Sequence, residues 1–96
     1  MGLAKATEFK TGALLGAVYV FDLKEDVVGE HYHVKGDGHI TFVLRGSVRI
    51  EGRKIDNPWS RVGKAGDFFD LPDDQWHEII ALEDDTKILN IKKGTL

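Results

Sequence analysis

Four histidines, His31, His33, His39 and His77, carry most of the chemistry this sequence offers. Cysteine is absent, which excludes disulfides, thiolate metal sites and cysteine nucleophiles. His31 and His33 stand two positions apart, and on a strand residues i and i+2 share a face. Two imidazoles about 7 Å apart at the backbone converge on one ion with ligand bonds of about 2.0–2.1 Å. Tyr32 between them faces the other way and is read as packing. His39 opens the run HITFVL and shares its face with Thr41 and Val43, while Ile40 and Phe42 turn away. His77, in WHEIIAL, shares its face with Ile79 and Ala81. A lone strand histidine is more often a packed or surface residue than a ligand. The paired spacing carries the expectation, together with a fold that gathers three or four imidazoles around one point.

The elements that must do this gathering are strands. Short β-branched or aromatic runs alternate with turn residues, and glycine occurs 11 times. Runs at 13–22, 27–34, 39–44, 47–51, 59–62, 66–71, 76–82 and 86–92 read as strands. Gly36-Asp37-Gly38, Arg45-Gly46-Ser47, residues 52–57, Pro72-Asp73-Asp74 and Glu83-Asp84-Asp85 separate them. Pro58 is placed outside any central strand. Turn signals every 8–12 residues are the pattern of an all-β sandwich or barrel, with one domain over residues 13–96. Residues 1–12 lack periodicity and are expected to be loosely ordered.

Thirteen basic side chains against sixteen acidic ones give a net charge of −3, without the clustered cations that nucleic acid requires. Lys92-Lys93 is the nearest approach to a cluster and reads as a solvated tail. The longest apolar run, 13–21, falls short of the roughly 20 residues that cross a bilayer and carries no cleavage pattern after it. A cytoplasmic protein without membrane or nucleic-acid partners is the expectation. As an apolar strand, 13–21 would be a liability with its edge bare, which predicts a homodimer through it.

The punctuation around the histidines resembles the cupin superfamily. Its first motif runs glycine, five residues, His-X-His, three or four residues, glutamate, six residues, glycine. His31-Tyr32-His33 supply the pair, Gly46 the closing glycine, and His39 stands in the glutamate position after a gap one residue longer than usual. Glu25 occupies the leading glycine position. The second motif runs glycine, five residues, Pro-X-Gly, two residues, histidine, three residues, asparagine. Gly66, Pro72 and His77 keep that spacing, while Asp74 and Ala81 replace the inner glycine and the asparagine. These stretches span residues 31–81, about half the chain.

The resemblance implies a cupin-type jelly-roll barrel of antiparallel strands with one divalent transition metal (Fe, Ni, Mn, Cu or Zn) at one mouth. His31, His33 and His77 are the ligands it carries over, with His39 or Asp37 as the fourth. Neutral imidazoles leave the ion's charge uncompensated, favouring an anionic or oxygenated small-molecule ligand. Imidazole suits Fe, Ni, Cu and Zn and disfavours Mg and Ca. A metalloenzyme of dioxygenase, isomerase or lyase type is the first functional expectation. A non-catalytic metal- or ligand-binding sensory module is the second. Tyr19, Thr41, Arg45, Asp70 and Trp76 are the polar candidates around the ion.

Overall fold

In the computed structural model, short alternating runs form nine strands among the described residues, which are 2–32, 38–54, 57–71 and 76–95 (side chains at 29–32, 53, 54 and 57 excepted). They are β1 (Lys5–Thr11), β2 (Leu14–Phe21), β3 (Val27–Tyr32), β4 (His39–Arg45), β5 (Ser47–Lys54), β6 (Asn57–Lys64), β7 (Phe68–Asp70), β8 (Trp76–Ala81) and β9 (Thr86–Lys92). One sheet has the order β1-β2-β9-β4-β7 and the other β3-β8-β5-β6, with antiparallel pairing throughout. β9 lies between β2 and β4, and β8 between β3 and β5, so the chain passes repeatedly from sheet to sheet, as in a jelly roll.

Period-two alternation decides what lies between the sheets. On β4, His39, Thr41 and Val43 are buried while Ile40 and Phe42 are partly exposed. β9 alternates likewise, burying Thr86, Ile88 and Asn90. Phe21, Val43 and Ile88 from one sheet meet Val48, Ile50, Ile79 and Ala81 from the other, with Leu71 completing the core. Each of these side chains other than that of Ala81 contributes roughly 1.5–3 kcal/mol through burial.

Residues 5–11 form β1, correcting the expectation of a loose segment over 1–12. β1 pairs with β2 from Lys5↔Val20 to Thr11↔Leu14. All its residues except Phe9 are exposed, so neither face carries the apolar alternation that marks a strand. Phe9 lies on Gly16, where a Cβ would stand 2.5 Å from its ring. That close approach favours this register. β2 therefore runs between β1 and β9, and the bare edge on which the expected dimer rests does not exist. The edge is β1, polar and lysine-bearing, as edges usually are.

Two further differences concern β5 and β6. β5 extends to Lys54, and β6 includes Pro58 paired with Arg53. β6 is the outer strand of its sheet, where a missing N–H is tolerated. The β4–β5 hairpin turns on Gly46 at φ 76°, the left-handed region that glycine enters without strain. A Cβ there would also stand 2.3 Å from Thr86 Oγ1. Arg45 binds Asp85 at 2.8 Å and Ser47 donates to Glu83 at 2.6 Å, so polar pairs dress this end. Glu25 takes the left-handed conformation, φ 74°, at the position where the cupin pattern has glycine.

Candidate metal centre

The two sheets approach each other at the starts of β4 and β8. His39 enters from one sheet and His77 from the other, their ring centroids 5.3 Å apart and their planes at 83°. His39 is 7% exposed and His77 1%. Imidazoles bound to one ion at about 2.0–2.1 Å per nitrogen have ring centres on the order of 5 Å apart, so this pair suits a shared ion. Backbone register sets His31 directly across from His77, after an irregularity between Val28 and His31. His33 and the alternative ligand Asp37 lie outside the described residues, as does the Pro72 turn. The structure thus brings two of the four expected side chains together and puts a third position beside them. Among the described residues no third histidine, aspartate or glutamate side chain joins the pair.

On the other strand neighbouring β8, Gly52 is His77's partner, and Gly52 is in turn paired with Trp59 of β6. The row Trp59–Gly52–His77–His31 therefore crosses the whole sheet at this level. The indole of Trp59 lies over Gly52, where a Cβ would stand 2.3 Å from Cε2 and Cζ2. Arg61 packs on its ring at 5.3 Å.

Behind His39 stands a polar pair. Thr41, fully buried, donates its hydroxyl to Asn90 Oδ1 at 2.6 Å, and its oxygen lies 3.2 Å from His39 Nδ1. Thr41 and Asn90 face each other in register across β4 and β9. A cavity of about 480 Å³ adjoins them, lined by His39, Asn90, Lys92, Tyr19 and Glu8, with Val28 from the other sheet. Burial, and secondarily the charge of Glu8, hold the Tyr19 phenol above its ordinary range, so it remains a neutral donor. Ultraviolet titration should show a tyrosine ionising above about pH 10, and Tyr19→Phe should abolish that step. A Tyr19→Phe trace that keeps the late step would contradict this assignment.

Of the polar candidates named from sequence, Tyr19 and Thr41 lie here. Arg45 is engaged with Asp85 at the other end. Asp70 accepts from Lys93 at 2.7 Å. Trp76 is half exposed and borders a second hollow together with His77, Glu51 and Glu78. Lys92, read from sequence as a solvated tail residue, ends β9 directly opposite His39. Asn90, Lys92 and Glu8 went unrecognised as site residues. Nothing local marks them, because it is the strand register that brings them to His39.

No protein-family model and no curated protein matches the chain. Solved structures do. Oxalate decarboxylase of Bacillus subtilis, as a deletion mutant, superposes with a TM-score of 0.81 at 17% identity, over 97% of this chain and 26% of that one. KdgF from Halomonas sp. gives 0.72 at 25% identity, over 92% and 74%. Fe(II)-HppE with the alternative substrate (S)-1-HPP gives 0.75 at 13% identity, over 94% and 49%. The chain thus spans about a quarter of the oxalate decarboxylase chain. No helix among the described residues is long and apolar enough to cross a membrane. Strand order, the inward-facing rows and these likenesses agree that the chain has the fold of the cupin superfamily.

Proposed function

We propose that this protein is a metal-dependent cupin enzyme, in which His31, His33, His39 and His77 hold one divalent transition-metal ion (Fe, Ni, Mn, Cu or Zn) and a small oxygenated or anionic molecule binds beside it. The observation that carries the reading is the meeting of two buried imidazoles, one from each sheet, of which His39 lines a cavity of about 480 Å³ and His77 borders a second hollow. The fold-mates support it: one is named for decarboxylating oxalate, and another contains Fe(II) with a substrate. When bound, a divalent ion among neutral imidazoles supplies a Lewis acid with its charge uncompensated.

The chain's own residues do the rest. Lys92, across from His39 on the cavity wall, contributes a positive charge toward an anionic ligand. Tyr19, kept protonated by its surroundings, offers a hydroxyl donor to a ligand oxygen. Val28 and Ala17 give the same cavity apolar walls that limit water.

Elemental analysis of untagged protein should find about one equivalent of transition metal. Solvent-proton relaxation of the Mn(II)-loaded form should show exchanging water, which millimolar oxalate displaces. Metal without exchanging water would mean a closed site and favour the non-catalytic module. No metal after reconstitution with Fe(II), Mn(II), Ni(II) or Zn(II) would end the enzyme reading.

A further inference from the structure

Thr41 and Asn90 form a buried polar pair on inward rows whose next pair is apolar. One step further along the same strands, Val43 and Ile88 occupy the equivalent paired positions in the core. A hydroxyl and an amide buried this deeply are costly unless hydrogen-bonded, and here the hydroxyl proton and the amide oxygen satisfy each other. Stability alone would favour another valine–isoleucine pair. What the polar pair adds is a direction of hydrogen bonding that ends on His39.

The direction follows from counting protons. A threonine hydroxyl has one proton and two lone pairs. Thr41 gives its proton to Asn90 Oδ1 at 2.6 Å, a short bond. Its oxygen then faces His39 Nδ1 at 3.2 Å as an acceptor only, so the proton in that contact sits on Nδ1. A neutral imidazole protonated at Nδ1 carries its lone pair on Nε2. Thr41 follows His39 by two residues on a strand, and Asn90 is fixed opposite by the β4–β9 ladder, so backbone pairing holds the chain of bonds in place.

Resting on the metal-site reading above, we propose that Asn90 and Thr41 are positioning residues that fix the Nδ1–H tautomer of His39 and so present its Nε2 to the metal. Asn90 sets the polarity and Thr41 transmits it. Reversing the Asn90 amide would make it donate to Thr41, push the hydroxyl proton toward Nδ1 and turn Nε2 into an N–H, which cannot ligate. Outer partners of metal-bound histidines commonly alter affinity about 10–100-fold.

Three variants separate this from a packing role. Asn90→Leu keeps bulk and removes the acceptor. Thr41→Val removes the hydroxyl at nearly constant volume. Asn90→Asp keeps an acceptor and offers no donor when ionised. Zn(II) affinity by calorimetry should fall roughly 10–100-fold in Asn90→Leu and Thr41→Val, and hold at or above the wild-type value in Asn90→Asp. In parallel, nitrogen-15 imidazole spectra of the metal-free proteins at about pH 8, above the usual histidine range, report the tautomer directly. His39 should be Nδ1–H in the wild type and in Asn90→Asp, and shift toward Nε2–H in Asn90→Leu. An Nε2–H His39 in the wild type, or an Asn90→Leu affinity within about threefold of wild type, would overturn the proposal. A wild type that binds no Zn(II), yet switches tautomer in Asn90→Leu, would overturn the metal reading and leave the tautomer control standing.

Discussion

His77→Ala is expected to lose its metal, with affinity at least about a hundredfold below wild type, since a ligand should matter more than the outer partners that cost 10–100-fold. His77 is more deeply buried than His39, and its strand lies between the two others of its row, with His31 on one side and Gly52 on the other. No other described side chain is placed to replace it. His39→Ala should lose metal comparably, because His39 is the described imidazole that comes from the opposite sheet. The readout is thermal. A ligand present at a hundred times its dissociation constant stabilises by about 2.7 kcal/mol. For a domain this small that raises the melting temperature roughly 10–20 °C. Wild type should show this shift on adding metal, and both variants almost none, with circular dichroism confirming strand content in each. A shift retained in His39→Ala but absent in His77→Ala would assign the fourth position to Asp37 or water. It would also remove the role given to Thr41 and Asn90. Shifts retained in both variants would refute the site.

How far the sequence discloses this arrangement depends on whether the signal is local. The inward row of β4 is written in its alternation, and His39, Thr41 and Val43 are buried together as that pattern requires. His77 with Ile79 and Ala81 behaves the same way on β8. β1 is silent because its residues are nearly all exposed, and its existence depends on pairing with β2 rather than on a face of its own. Pro58 argues against a strand only for an interior position, and the outer place of β6 is a property of topology. Asn90 and Lys92 illustrate the same limit at the site. An asparagine and a lysine in a run such as TKILNIK carry no local mark of function. They acquire one when β9 pairs with β4 and sets them opposite Thr41 and His39. Resemblance to the cupin pattern supplied the histidines, and the register supplied what surrounds them.

Register also creates a position where a single methyl group should disturb the site. Gly52→Ala would place a Cβ 2.3 Å from two carbons of the Trp59 indole and 2.7 Å from its Nε1, distances no real contact sustains. The ring cannot simply swing away, because it is half-buried, packs against the core and carries Arg61 on its face. Overpacking of this kind costs about 1–3 kcal/mol, or a melting temperature lowered by roughly 5–20 °C in a domain of this size. The displaced indole would press on the row shared with His77, so metal affinity should fall with stability. In a Trp76→Phe background, where Trp59 is the sole tryptophan, Gly52→Ala should shift the emission as the indole leaves its seat. Trp59→Leu should rescue the substitution, so that the Gly52→Ala/Trp59→Leu pair melts close to Trp59→Leu alone, and the non-additivity measures the clash. Unchanged melting and emission in Gly52→Ala would mean that the Trp59 ring does not lie over Gly52, and that the level of the sheet holding His77 is shaped by something other than this glycine.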